Sequence, residues 1–223
     1  MKHLRMLAVS AIVAFSTTAM AQVTYGNDYQ YSPTSSSIYG SDDESFGLFY
    51  AQYSPSQLHS SYKGYSHNTS FNVASLGYSY YISLGDMPLY VAPGIAAQWM
   101  FKSTKEGSVE YKTNIVAAKI PVNLMYSIQV SDGFRIEPYA GIYGRINIWG
   151  EAKETYEGKS EKWNLFSSDE GEAYKRFQFG WNAGVNFRIT NAFTIGGGYY
   201  MDLTKIAEHT NFQGFDITLG VNF

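Results

Sequence analysis

From Gly214 to Phe223 the chain reads G-F-D-I-T-L-G-V-N-F. Phe215, Ile217, Leu219, Val221 and Phe223 share one face; Gly214, Asp216, Thr218, Gly220 and Asn222 share the other. Unbroken period-2 alternation of this kind predicts a strand with one apolar and one polar side. The pattern recurs upstream. Over Tyr174 to Ile189, Phe177, Phe179, Trp181, Ala183, Val185, Phe187 and Ile189 alternate with Gln178, Gly180, Asn182, Gly184, Asn186 and Arg188. Strands are likewise predicted over Phe71 to Ser83, Leu89 to Lys102, Thr113 to Val130, Phe134 to Trp149 and Phe193 to Leu203. A first strand over Ser45 to Tyr53 has two competing faces, Phe46, Leu48 and Tyr50 against Phe49, Ala51 and Tyr53. Pro121 inside the fourth strand predicts a bulge or an irregular pairing.

Three connections are short: Leu84 to Pro88, Ser131 to Gly133 and Thr190 to Ala192. Four are longer and read as loops: Ser54 to Ser70, Ser103 to Lys112, the acidic Gly150 to Ala173, and Lys205 to Asn211. Long and short connections alternate around eight strands. Membrane barrels combine an even strand number, short periplasmic turns and long outer loops. The pattern therefore predicts an all-β fold, an eight-stranded antiparallel up-and-down transmembrane β-barrel over residues 45–223.

Alternation alone does not say which face meets lipid. A barrel in water would put its apolar face inside and line the outside with Lys and Glu. Here the polar face is built from Gln, Asn, Gly, Thr and Tyr, which suit a narrow lumen. Its charges include Lys119, Arg135, Glu137, Arg145, Arg188, Asp202 and Asp216. Confined charges of mixed sign are expected to pair across the lumen, because a buried unpaired charge is costly. The apolar face is thus expected to meet outer-membrane lipid.

Composition agrees. Twenty Tyr, 14 Phe and 4 Trp suit aromatic girdles at two membrane interfaces. The N-terminus predicts a signal peptide over 1–21, with Lys2, His3 and Arg5 ahead of an apolar run and Ala19-Met20-Ala21 as a cleavage site. Residues 22–44, rich in Ser, Tyr, Gly and Asp, read as a flexible periplasmic segment. Without Lys2 and Arg5, 14 Lys+Arg face 19 Asp+Glu, a net charge near −5, which argues against nucleic acid as a partner. The chain has no cysteine, so disulfide and thiolate chemistry are excluded.

E-P-Y-A-G-I-Y-G-R-I (Glu137 to Ile146) and the run from Gly180 to Thr204 resemble the PorT-like "outer membrane protein beta-barrel domain" (porin-family) proteins of Gram-negative bacteria. The resemblance covers roughly Ser45 to Phe223. It implies a small outer-membrane barrel and specifies no reaction. The final strand also resembles the C-terminal signal read by the barrel assembly machinery, carried here by Phe215, Ile217, Leu219, Val221 and Phe223.

Candidate chemistry is sparse. Glu137, Asp202 and Asp216 could line one site, but arginines on the same face make a structural network the simpler reading. His59, His67 and His209 all fall in predicted loops, and a metal site needs at least three converging ligands. Some eight-stranded outer-membrane barrels are lipid-modifying enzymes that use Ser with His; here Ser60 and Ser61 beside His59 lack a positioned acid. Gly196-Gly197-Gly198 lies mid-strand, outside any phosphate-loop context, and is expected to let bulky side chains pack close. No catalytic, metal or cofactor residue is assigned. The expectation is a non-enzymatic structural or surface-interaction barrel with a filled lumen and an extracellular ligand at its loops, Trp163, Tyr156 and Phe166 among them. A small porin and a lipid-modifying enzyme are the alternatives.

Overall fold

The computed structural model describes residues 45–223, apart from 63–64, 86, 168–173 and 208–209. The predicted signal peptide, the segment 22–44 and His209 lie outside the described residues.

Among the described residues ten strands follow in order: β1 (Phe46–Tyr62), β2 (Tyr65–Ser83), β3 (Leu89–Glu106), β4 (Val109–Tyr126), β5 (Ile128–Ser131), β6 (Phe134–Tyr156), β7 (Lys159–Asn164), β8 (Phe177–Ile189), β9 (Phe193–Asp202) and β10 (Thr210–Asn222). Eight of them form a ring. β1 pairs with β2 and β10, and the antiparallel ladder continues through β3, β4, β6, β8 and β9 back to β10. β5 continues the β4 line after a break at Ser127 and pairs with β6. β7 lies outside the ring and pairs with the far part of β6. Closure leaves the ring without a free edge, the condition under which strands can cross lipid.

The alternation sorts as the sequence predicts. Leu76 (58% exposed), Trp99 (50%) and Phe215 (65%) point outward. Asn182, Arg188 and Asp216 are buried on the inside. The ambiguous first strand resolves too: Leu48 and Tyr50 face in, while Phe49, Ala51 and Tyr53 face out. On β10 the outward apolar positions run from Phe215 to Phe223, close to the roughly 9–11 residues a tilted membrane strand needs.

Three of the predicted loops are corrected. Ser54 to Ser70 is not a loop: β1 and β2 stay paired from Phe46↔Tyr81 to Tyr62↔Tyr65. Ser103 to Lys112 is the tip of the β3–β4 hairpin, paired as far as Glu106↔Val109. Most of Gly150 to Ala173 is the β6–β7 hairpin, closed by Glu157 (φ 48°) and Gly158 (φ 81°), the left-handed pair that a type I′ turn requires. In these hairpins the outward positions turn polar, as at Gln57, His59 and Lys105, so the apolar alternation that marks a strand fades.

The three short turns gather at the opposite end, with Phe46 and Phe223. One of them places Thr190 and Asn191 at φ 52° and 56°. We call this the terminal end and the other the hairpin end. At Pro121 the β3–β4 ladder keeps its register but lacks pairs between Pro93↔Val122 and Ala96↔Lys119, the irregular pairing a missing N–H dictates. A register shift on the β4–β6 side falls elsewhere, between Val116 and Ala117.

Candidate functional site

The inward positions of eight strands converge on a lumen in three layers. Near its middle, Arg145 of β6 and Asp202 of β9 form an ion pair at 1% and 0% side-chain exposure. Tyr143 donates its phenol hydrogen to Asp202 at 2.6 Å. Lys119 of β4 places its Nζ over the rings of Tyr143 (4.3 Å) and Tyr200 (5.0 Å). It lines the same cavity as Asp216 of β10.

Nearer the terminal end, Arg188 of β8 pairs with Glu137 of β6, and Ser127 donates to the same carboxylate at 3.2 Å. The Arg188 guanidinium stacks 3.8 Å from the Phe46 ring centre. Arg135 lies half-buried at the rim, opposite Arg188 in the ladder. Amides fill the remaining wall: Asn182 donates to Asn123 at 2.8 Å and Asn147 to Gln178 at 2.6 Å. The seven lumen charges of the sequence thus fall into two separate ion-pair groups, with Arg135 at the edge of one.

The lumen is less polar than the sequence suggests. At the hairpin end, Leu58, Phe71, Val73, Met100, Ile115 and Phe212 belong to one buried apolar cluster. At the terminal end, Leu48, Tyr50, Tyr81, Tyr90 and Met125 form another, with Phe46 and Tyr139 against it. The signal was present in the parity: Tyr90, Met100, Ile115, Met125 and Phe212 all occupy inward positions, out of phase with the apolar lipid face. Between the clusters lies a cavity of about 50 Å³, lined by Lys119, Asn123, Tyr139, Asn182, Asp216 and neighbours. Asp216 Oδ1 and Asn182 Oδ1 have no hydrogen-bond partner.

The glycine run has a local reason. A Cβ on Gly198 would lie 2.5 Å from the Tyr139 hydroxyl and 3.0 Å from Asp216 Oδ2. On outward-facing Gly197 the nearest atom would be 3.5 Å away.

The other candidates sit at the hairpin end. His59 is hydrogen-bonded to Asn68 across β1–β2 at 2.7 Å, and His67 faces Ser60 in the same ladder. Of the predicted loop aromatics, Tyr156 is exposed at a hairpin tip, Trp163 is half-buried on β7, and Phe166 packs on the hairpin-end cluster beneath Arg176 (4.7 Å). Lys112 bonds Glu110 at 2.9 Å on the exposed hairpin and holds that carboxyl below its ordinary range. On β10, Phe215, Ile217, Leu219, Val221 and Phe223 all point outward. Phe223 exchanges backbone hydrogen bonds with Gly47 (2.7 and 3.0 Å) and stacks on Tyr78.

Comparison with known proteins follows this geometry. The family described as "Outer membrane protein beta-barrel domain" matches residues 45–208. Similar solved structures include Ail, the attachment invasion locus protein of Yersinia pestis, at 15% identity over 81% of this chain and 99% of that one, with a TM-score of 0.48. Neisserial surface protein A is 14% identical over 81% and 100%, with a TM-score of 0.48. The outer membrane enzyme PagL is 13% identical over 78% and 98%, with a TM-score of 0.39. No curated protein matches the chain.

Proposed function

We propose that this chain, which belongs to the outer membrane protein beta-barrel domain family, is a sealed, non-enzymatic barrel whose contacts with other molecules are made by its hairpin end. In this reading the segment 1–21 is removed near Ala21 and residues 22–44 remain in the periplasm. The outward row ending at Phe223 is what the barrel assembly machinery reads. The three short turns face the periplasm and the long hairpins face outside, as in other bacterial barrels.

One observation supports the sealed lumen: apolar side chains fill its hairpin end, and at its terminal end aromatic side chains pack around the Arg188–Glu137 pair. An ion would have to shed its water to pass such layers, and hydrophobic constrictions block flow by dewetting. Within the middle layer, Arg145 and Asp202 form a buried ion pair, which offsets two of its charges. With lipid on one side and a filled interior on the other, the hairpins are the surface left for recognition.

A small pore is the second reading, and the cavity beside Lys119 and Asp216 is what favours it. Conductance decides between them. The refolded mature protein in a planar bilayer is expected to be electrically silent while showing heat-modifiable migration, which reports a folded barrel. Reproducible current, altered by Asp216→Asn, would replace the sealed barrel with the pore.

A further inference from the structure

Beyond the ring, β3, β4, β6 and β7 continue as a four-stranded sheet whose rows are fixed by register. Ser103, Lys112, Lys153 and Lys162 stand directly opposite one another on adjacent strands. The next row towards the tips on that face is Lys105, Glu110, Thr155 and Ser160. Towards the barrel come Phe101, Asn114, Glu151 and Asn164, and then Trp99, Val116 and Trp149. Trp99, Val116 and Trp149 are exposed on the lipid side, so the lysine row continues the outer, lipid-facing surface. The other face of the sheet turns Ala152, buried, and Trp163, half-buried, inward.

Three lysines in direct cross-strand register repel one another at a strand spacing of about 4.8 Å. Their neighbours compensate only in part. Lys112 pairs with Glu110 at 2.9 Å and Lys162 with half-buried Glu151 at 3.1 Å, at the surface, where such pairs are weak. Lys105 and Lys153 raise the total on this face above those two carboxylates. The height also fits a membrane surface. The lysine row stands four residues beyond the tryptophan row, roughly 13 Å along the strands and about 9 Å in height at a 45° tilt. A headgroup layer is roughly 5–8 Å deep, and lysine side chains reach back towards it while their stems cover apolar surface.

We propose that the row Lys112, Lys153 and Lys162, on the outer face of the β3–β4–β6–β7 extension, binds the phosphorylated headgroup of an outer-leaflet lipid. The acyl chains of that lipid lie against Val116 in the tryptophan row and Ile146 and Ile148 below it. The assignment rests on the hairpin end facing outward and is independent of whether the lumen conducts.

The test is lipid retention by the folded full-length barrel in nanodiscs of phosphatidylcholine doped with a bisphosphorylated glucosamine lipid or its dephosphorylated form. A lysine near an anionic surface is worth about a fivefold gain in partitioning. The wild type is expected to retain the phosphorylated form about tenfold or more over the other. Lys112→Gln/Lys153→Gln/Lys162→Gln is expected to lose that preference. A control that removes Lys159, Lys175 and Lys205, which lie off this face, is expected to keep it. Should the triple variant fail to show heat-modifiable migration, Lys153→Gln alone carries the test, with a loss of about fivefold. Retained preference in the lysine variants, or equal retention of the dephosphorylated lipid, overturns the site. Competition by millimolar inorganic phosphate reveals a free-anion site and overturns the lipid assignment. Nanodiscs expose both ends of the barrel, so retention reads the site whichever way the protein faces. Failure of protease added to whole cells to reach the β6–β7 hairpin would sink the outward orientation separately.

Discussion

The Arg145–Asp202 pair is the more deeply buried of the two ion pairs described in the lumen, and a double-mutant cycle measures it. Both side chains are almost entirely buried. Asp202→Leu leaves the guanidinium unpaired inside the barrel and removes the acceptor that Tyr143 reaches at 2.6 Å. Breaking a buried pair from one side costs about 3–5 kcal/mol. Arg145→Met is expected to cost less, towards the bottom of that range, because Tyr143 still donates a hydrogen bond to Asp202. Replacing both removes two desolvated charges and puts apolar volume beside Phe212, over whose ring Arg145 lies at 4.9 Å. An apolar exchange of a whole pair is often neutral, so the double variant retains mainly the cost of the orphaned Tyr143 hydroxyl, about 1–3 kcal/mol. The coupling energy is therefore expected to exceed about 3 kcal/mol. Urea unfolding in phospholipid vesicles, followed by the fluorescence of Trp99, Trp149, Trp163 and Trp181, gives the four free energies. Additivity to within about 0.5 kcal/mol would mean that the two charges do not depend on each other inside the lumen, and would refute the buried pair.

Two further outcomes are expected. Gly198→Val drives a side chain into the Tyr139 hydroxyl and Asp216 and should destabilise the barrel by about 1–3 kcal/mol, whereas Gly197→Val, on the lipid face, should be tolerated; equal effects of the two in the same urea assay would contradict the packing. Deleting Phe223 removes its backbone exchange with Gly47 and its stack on Tyr78; the amount of heat-modifiable protein in the outer membrane should fall, and an unchanged amount would mean that the final outward row is not read during assembly.

The fold was legible where one physical rule governs both faces. Within the membrane every strand must show lipid an apolar side, so Ile217 or Phe187 declares its face by parity alone. The rule lapses above the bilayer. His59, Ser60 and His67 have no lipid to face, and their strand is held by the β1–β2 ladder instead of by burial. That is why a hairpin reads there as a polar loop. Inside the lumen the reading failed in the other direction. The sequence predicts a lumen lined mainly by small, amide and charged residues, yet a closed barrel end is a packed core in its own right. Tyr90 and Phe212 are as buried as any core residue, while their strand partners on the lipid face are equally apolar. Only their phase distinguishes the two kinds of apolar residue, and the phase is visible in the sequence once the lipid face is known. The pairing of particular charges was not legible. Arg145 and Asp202 lie on β6 and β9, two strands that do not pair with one another, and contact across a lumen depends on the tilt and stagger that closure imposes.

Closure also determines where this molecule can differ from others of its architecture. The lipid side admits almost any apolar residue, so Leu76 or Ile95 carries little information beyond its greasiness. The lumen admits few changes, since Gly198, Tyr139 and Asp216 already occupy one another's space. The hairpins are bound by neither constraint. Their register is held by backbone pairing from Glu106↔Val109 and Tyr156↔Lys159 down to the rim, which leaves the side chains of each row free to vary. A rigid ladder with free side chains turns a row such as Lys112, Lys153 and Lys162 into an array of fixed spacing. An extended mobile loop of the same composition would have to lose conformational entropy to form it. Carrying the strands past the membrane instead of ending them at the rim thus yields a preorganised surface, and for a barrel with a filled interior that surface is where specificity can reside.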